Sequence, residues 1–187
     1  MSRGNIAERN TRLFLTGSPG VGKTTLIRAI VERLEGIKCA GFYTEETRQG
    51  GQRTGFRIVT LDGLVGSLAS LGTRNPKVGK YSVHVEAFEK LVLPCLDLVE
   101  PPVDLYVIDE IGKMELLSHR FRTRIIELLG QPTNLLATIA PKGAGLIDQI
   151  KQRSDVEIVQ VTRKNRNELP QELARKIKIQ LGKYLEG

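Results

Sequence analysis

Eight residues near the start of the chain, Gly-Ser-Pro-Gly-Val-Gly-Lys-Thr at 17–24, follow the pattern G-x-x-x-x-G-K-[ST]. The apolar run 13–16 before them is typical of a buried strand, and residues 25–31 after them are typical of a helix. Glycine adopts backbone conformations closed to other residues, so successive N–H groups in such a loop can point at one anion. The pattern therefore predicts a phosphate-binding loop, called the phosphate loop below, that holds a nucleoside triphosphate such as ATP.

Each part of the phosphate loop has an expected task. The helix that follows adds the positive end of its dipole to the anion site. The Lys23 ammonium is expected to reach the β- and γ-phosphates as an electrostatic catalyst, and the Thr24 hydroxyl to hold Mg²⁺. The residues expected to contact the nucleotide here are Gly17, Ser18, Pro19, Gly20, Val21, Gly22, Lys23, Thr24 and Thr25.

Length and composition predict one ordinary domain over residues 1–187. Hydrophobic residues make up 40% of the chain and charged residues 26%. No apolar run approaches the roughly 18 residues of a membrane helix. The polar segment 1–11 is expected to be a flexible tail, not a secretory signal. Because Cys39 and Cys95 have apolar neighbours and no metal-type spacing, we expect two small core residues in a cytoplasmic protein. No apolar interface stands out, so we expect a monomer.

The net charge of +7 favours anionic partners in general. The basic residues are dispersed, apart from Arg-Lys-Asn-Arg at 163–166. Aromatic residues make up only 5% of the chain, which leaves little for stacking against single-stranded nucleic acid. A solvated basic surface is therefore favoured over a nucleic-acid site, and nucleoside triphosphates are the expected partners.

Strands and helices alternate along most of the chain, which predicts an α/β fold with a mainly parallel sheet sandwiched by helices. Predicted strands lie at 13–16, 38–44, 103–108, 134–140 and 156–161, and predicted helices at 25–35, 85–98, 118–129, 146–152 and 169–185.

Residues 44–84 differ from this alternation. Gly50-Gly51 is a strong turn signal, and Asp62-Gly63 stands between two strand-like runs, which is a strong sign of a hairpin. We therefore predict an antiparallel β insertion at 44–84, with a polar turn region at 45–53 and a mobile loop at 71–80.

A second motif lies at 105–110, where an apolar strand ends in two acids. We expect this strand to lie beside the first one, so that both end at the same edge of the sheet. Asp109 would then lie near Thr24 and help to hold Mg²⁺, directly or through water. Glu110 would orient or deprotonate an attacking water, which hydrolysis requires.

Cations near the γ-phosphate are the remaining catalytic candidates. Lys113 could neutralise charge that builds on the γ-phosphate, or it could be a solvated loop lysine. Arg48, Arg53 and Arg57 in the insertion are candidates for an arginine finger, and the sequence alone does not choose among them.

Four stretches resemble the thermophilic nucleoside triphosphatase family: Gly-Phe-Tyr-Thr at 41–44, Arg-x-x-Gly-x-Arg-x-Gly-Phe at 48–56, Val-Gly-Lys-Tyr at 78–81 and Ile-Asp-Glu-Ile-Gly-Lys-Met-Glu-Leu at 108–116. The resemblance implies a RecA-like P-loop core and Mg²⁺-dependent hydrolysis of ATP, GTP, CTP and UTP with little base preference. It also maps nucleotide contacts onto residues 17–24 and onto Ile108, Asp109, Glu110, Ile111, Gly112, Lys113, Met114 and Glu115.

Two alternatives stay open at this point. A P-loop kinase would pass the γ-phosphate to a small molecule or a nucleic-acid end, with residues 44–84 shaping an acceptor pocket. A nucleotide-dependent switch would use hydrolysis only as a timer. Guanine-selective switches carry Asn-Lys-x-Asp, and the nearest string, at 163–166, lacks the terminal Asp, which argues against guanine selectivity.

Overall fold

A computed structural model describes residues 10–183, which form one nine-stranded mixed sheet covered by helices. In chain order the strands are β1 Arg12–Thr16, β2 Cys39–Gln49, β3 Gln52–Thr60, β4 Val65–Leu71, β5 Lys77–Val78, β6 Tyr81–Val83, β7 Leu105–Ile111, β8 Leu135–Ile139 and β9 Glu157–Gln160. The helices are α1 Lys23–Val31, α2 Val85–Cys95, α3 His119–Gly130, α4 Leu146–Lys151 and α5 Leu169–Gln180, and a short 3₁₀ helix spans Glu115–Leu117.

The parallel half of the sheet has the order β2-β7-β8-β1-β9. The expectation that the second-motif strand lies beside the first one is wrong, because β8 lies between β7 and β1. Both neighbours of β1 come from later in the chain, β8 on one side and β9 on the other. All five strands still end at the same edge of the sheet, so β7 delivers its last residues close to the phosphate loop.

Helices cover both faces of this sheet, as predicted. One face packs against α2, α3 and α4 through residues such as Phe88, Phe121 and Ile147. The other face packs against α1 and α5 through residues such as Ile27 and Ile177. Each of these fully buried side chains contributes about 1.5–3 kcal/mol relative to an exposed one. The phosphate loop therefore connects a buried strand, β1, to a firmly packed helix, α1.

The antiparallel insertion is confirmed, and it continues the same sheet in the order β5-β6-β4-β3-β2. The predicted end of the second strand at residue 44 is wrong, because β2 runs on to Gln49 and its outer half pairs antiparallel with β3. Gly50 and Gly51 form the turn of this β2–β3 hairpin, and the Asp62-Gly63 turn joins β3 to β4. The loop 71–80 contains the short strand β5, which the sequence does not predict.

Gly41 shows why β2 can lie so close to β7. Its φ is +132°, and a Cβ on it would lie 1.8 Å from the Val107 carbonyl oxygen. A side chain at this position would push apart two paired strands whose ends carry the site.

The predicted N-terminal tail, residues 1–11, overlaps the described residues only at its end. Residues 1–9 lie outside the described residues, but Thr11 is 1% exposed and its N–H donates to Asn134 Oδ1 at 2.7 Å. Thr11 therefore belongs to the packed domain and not to a tail. Within residues 10–183, none of the helices has the length and apolar character needed to cross a bilayer.

Candidate active site

The phosphate loop joins the end of β1 to the start of α1. Gly20 and Gly22 have φ values of +73° and +106°, which other residues adopt only with strain. Gly17 allows a close approach to the end of β9, because a Cβ on it would lie 2.7 Å from the Val161 carbonyl oxygen. Within residues 10–183 no side chain caps the first turn of α1, and that turn carries no acidic residue. Its N–H groups are therefore left for an anion.

Lys23 is held back against its own loop. Its Nζ donates to the Gly17 carbonyl oxygen at 3.2 Å and lies 3.9 Å from Glu110 Oε2. The side chain is only 10% exposed, so the charge faces the site and not bulk solvent. A phosphate group entering the loop would replace this weak internal hydrogen bond with a charge-assisted one.

Asp109 lies at the end of β7 and is 1% exposed. Thr138 Oγ1, on the intervening strand β8, donates to its Oδ1 at 2.6 Å, and its carboxylate is also hydrogen-bonded to the Thr24 side chain. Burial raises the pKa of Asp109, and these two hydrogen bonds oppose the shift. Sequence reasoning missed Thr138, although a single hydroxyl in the apolar strand Leu-Leu-Ala-Thr-Ile was a signal.

The oxygens around Asp109 fit a divalent cation. Among the described residues, Asp109 Oδ2 is a buried carboxylate oxygen without a hydrogen-bond partner. An unpaired buried carboxylate oxygen is costly unless something compensates it. Mg²⁺ prefers such oxygen ligands, and the Thr24 hydroxyl adds another beside them. Thr24 and Asp109 are thus the residues that could hold the metal, as the sequence predicts.

Glu110 points its carboxylate toward Lys23 and is partly open, with 31% of the side chain exposed. Burial raises its pKa, the nearby Lys23 ammonium lowers it, and the Asp109 charge raises it again, with a net upward shift. The Asp109–Glu110 peptide bond is cis, and the β7–β8 register shifts at this point. A carboxylate with a raised pKa beside a phosphate site has the properties of a general base.

A third carboxyl group, that of Glu115, lies close to Glu110. Glu115 is 5% exposed, and burial raises its pKa to about 8, with further upward contributions from Glu110 and Asp109. Gly112 separates the two glutamates, since a Cβ on it would lie 3.0 Å from Glu115 Oε2 and 3.1 Å from Glu110 Oε1. At neutral pH the raised pKa favours the protonated form of Glu115, which reduces the negative charge beside Glu110.

These groups face one cavity of about 650 Å³ between the phosphate loop, the end of β7 and the β2–β3 hairpin. The cavity brings together most of the predicted nucleotide contacts: Pro19, Gly20, Gly22, Lys23, Thr24, Thr25, Asp109, Glu110, Gly112, Lys113, Met114 and Glu115. The side chains of Ile108 and Ile111 instead pack in the core, and Gly17, Ser18 and Val21 do not line the cavity.

The β2–β3 hairpin separates the three arginine-finger candidates. Arg48 and Arg53 line the cavity, and Glu46 holds both: Arg48 Nη2 lies 2.6 Å from Glu46 Oε2, and Arg53 pairs with Oε1. Arg57 does not line the cavity and pairs with Glu45 Oε2 at 2.7 Å. Lys113 lines it as an exposed side chain.

Comparison with known proteins identifies the family and the fold of the chain. The sequence matches the family model described as NTPase over residues 12–174. It is 41% identical to the nucleoside-triphosphatase THEP1 of Thermotoga sp. (strain RQ2) over 172 residues, covering 91% of this chain and 98% of the relative. It is 46% identical to the human cancer-related nucleoside-triphosphatase over 173 residues, covering 84% and 91%. The crystal structure of THEP1 from Aquifex aeolicus superimposes with a TM-score of 0.79 at 36% identity, covering 87% of this chain and 96% of that one.

Proposed function

The chain belongs to the NTPase family, and we propose that it is a Mg²⁺-dependent hydrolase that releases phosphate from ATP, GTP, CTP and UTP. Its fold is that of the solved relatives, a P-loop core with an antiparallel extension. The observation that carries the proposal is the meeting of Lys23, Asp109 and Glu110 at one cavity beside the phosphate loop.

Lys23 and the phosphate loop bind the substrate through its phosphates. The N–H groups of the loop and of the first turn of α1 donate hydrogen bonds to the phosphate oxygens, and Lys23 Nζ moves from the Gly17 carbonyl onto the β- and γ-phosphates. Both contacts address only the phosphates, which every nucleoside triphosphate shares.

Thr24 and Asp109 would hold Mg²⁺ between the loop and β7. When bound, the ion neutralises charge on the phosphate oxygens. Thr138 keeps one Asp109 oxygen turned toward β8, so that the unpaired oxygen is the one left for the metal.

Glu110 acts as the general base. It accepts a proton from the attacking water as the water oxygen bonds to the γ-phosphorus and the bond from the γ-phosphorus to the bridging oxygen breaks. The 3.9 Å separation between Glu110 Oε2 and Lys23 Nζ supports this role, because a γ-phosphate bound to Lys23 would lie close to this carboxylate. The cavity wall also carries three cationic side chains, those of Arg48, Arg53 and Lys113. They neutralise the charge that develops on the γ-phosphate during its transfer.

We also propose that residues 1–187 form one domain that works as a monomer in the cytoplasm. The described part supports this with a single continuous sheet to which all its strands belong. Both cysteines are free, and burial raises their pKa, to about 11 for Cys39 and about 12 for Cys95. Such thiols are inert at neutral pH, which fits structural and not redox residues.

The proposal is tested by phosphate release from ATP, GTP, CTP and UTP, each with Mg²⁺ and with excess EDTA. We expect kcat/KM values within about tenfold of one another, since stronger discrimination requires hydrogen bonds to a particular base. We expect EDTA to lower the rates by at least about 10²-fold, because the metal carries much of the charge stabilisation. Hydrolysis of a single nucleotide, or full activity in EDTA, would contradict the proposal.

A further inference from the structure

A second cavity lies on the other side of the phosphate loop from Glu110. It has a volume of about 430 Å³ and lies between α1 and the β9–α5 loop (residues 161–168), lined by Gly22, Thr25, Ala29, Arg166 and Asn167 among others. In the sheet, β9 lies on one side of β1, and β8 followed by β7 lie on the other, so this groove and Glu110 lie on opposite sides of the phosphate loop. The basic cluster that the sequence shows at 163–166 falls in this loop.

Arg166 ties the groove to the phosphate loop. Its Nη1 donates to the Val21 carbonyl oxygen at 3.1 Å, and a Cβ on Gly22 would lie 3.8 Å from the same nitrogen. Arg166 is an exposed residue that lines the groove, so its side chain is accessible to a ligand there. A planar cation is thereby fixed at the border between the phosphate site and the groove.

Asn165 fixes the loop that carries Arg166. Its Oδ1 accepts from the Thr162 N–H at 2.8 Å, and its Nδ2 donates to the Gln160 carbonyl oxygen at 2.9 Å. Both ends of the amide are therefore used within the β9–α5 loop and are not offered to a ligand. Asn165 therefore stabilises the loop and does not bind a nucleobase.

We propose that this groove holds the ribose and nucleobase of the bound nucleotide, with the base lying against the Arg166 guanidinium. The proposal rests on the proposed function, because it needs a nucleotide in the phosphate loop. The γ-phosphate faces Glu110, so the nucleoside must leave the loop on the opposite side, where this groove begins. The volume suits a nucleoside, and no acidic side chain lines the groove within the described residues.

This arrangement gives a physical reason for weak base preference. An arginine stacks on the π-face of any base, whereas selectivity needs polar groups fixed against one base edge. Of the polar side chains that line the groove, Asn167 and Thr25 are exposed, and no carboxylate is present to pair with guanine. Arg166 therefore contributes affinity to every nucleotide and selectivity to none.

The test is the binding of ADP, GDP, CDP, UDP and pyrophosphate to the whole chain by titration calorimetry, with wild type, Arg166→Ala, Arg166→Lys and Arg163→Ala. Pyrophosphate fills the phosphate loop and lacks a base. We expect Arg166→Ala to weaken all four diphosphates by about tenfold and to leave pyrophosphate within about twofold. Arg166→Lys should resemble Arg166→Ala, because it keeps the charge and loses the planar face. Arg163, exposed in the same loop and not lining the groove, is the matched control and should change nothing.

Three results would overturn the inference. An equal loss for pyrophosphate would mean that Arg166 acts only by bracing the phosphate loop through Val21. Unchanged binding of the four diphosphates would place the base elsewhere, and full affinity in Arg166→Lys would replace stacking by simple charge attraction. A wild type that binds the diphosphates as expected but hydrolyses no triphosphate would overturn the proposed function and leave this inference standing.

Discussion

Replacing Glu110 by Gln is expected to lower kcat for ATP hydrolysis by about 10²-fold or more, the usual scale for loss of a general base. Gln keeps the size of the side chain but cannot accept the proton of the attacking water. The variant should still bind ATP with a Kd within about threefold of wild type, because the phosphates are held by the loop and Lys23.

The pH dependence of kcat gives the same prediction a second readout. Glu110 acts as a base only when ionised, so the rate should rise with pH as the carboxyl loses its proton. Burial raises the pKa of Glu110, so this rise in rate, the acid limb of the pH profile, should occur at a higher pH than for an ordinary glutamate. The limb should be absent from Glu110→Gln.

Glu127→Gln is a suitable control for this variant. Glu127 is an exposed carboxylate on α3 that pairs with Arg124 and does not line the cavity. It should leave both kcat and the pH profile unchanged. Undiminished turnover in Glu110→Gln would remove Glu110 from the role of base, whereas loss of ATP binding would show that it holds substrate instead.

The double variant Arg48→Ala/Arg53→Ala is expected to lower kcat by about 10³-fold, the low end of what an arginine finger contributes. Both guanidinium groups lie on the β2–β3 hairpin, line the cavity and pair with Glu46. When a triphosphate binds, we expect them to exchange Glu46 for the more strongly charged phosphate. The readout is the kcat of ATP hydrolysis, followed by the two single variants to identify the arginine that carries the effect.

Arg57→Ala is the matched control for the hairpin arginines. Arg57 lies on the same hairpin and pairs with Glu45, but its own side chain does not line the cavity, so kcat of Arg57→Ala should stay within about threefold of wild type. Exposed ion pairs such as these contribute at most about 1 kcal/mol each to stability, so all these variants should keep nearly the wild-type unfolding temperature. Equal losses in Arg57→Ala and the double variant would point to damage to the hairpin and not to catalysis.

Local sequence predicts the phosphate loop because everything that the loop needs lies within a few residues. Gly20 and Gly22 supply the positive φ values, and Lys23 and Thr24 follow directly at the start of α1. The two acids at the end of β7 are predictable for the same reason. The helical layers and the antiparallel extension follow from periodicity and from turn residues.

The parts that the sequence does not predict depend on pairing between distant segments. Nothing local indicates that β8 enters between β7 and β1, and only this order brings Thr138 against Asp109. Nor does the polar segment 45–49 look like a strand, although pairing with β3 extends β2 through it. That extension carries Arg48 over the cavity, and the position of Arg166 likewise depends on β9 lying beside β1.

The central claim, that this site transfers the γ-phosphate to water, is tested most directly by hydrolysis of Mg²⁺-ATP in ¹⁸O-enriched water. Mass spectrometry of the released phosphate reports where the new oxygen comes from, and Lys23→Ala provides the background. We predict ADP and phosphate in equal amounts, with a single solvent oxygen in each phosphate and a rate that falls to background in Lys23→Ala. ADP formed in excess over phosphate, or phosphate without solvent oxygen, would mean transfer to another acceptor and would contradict the account.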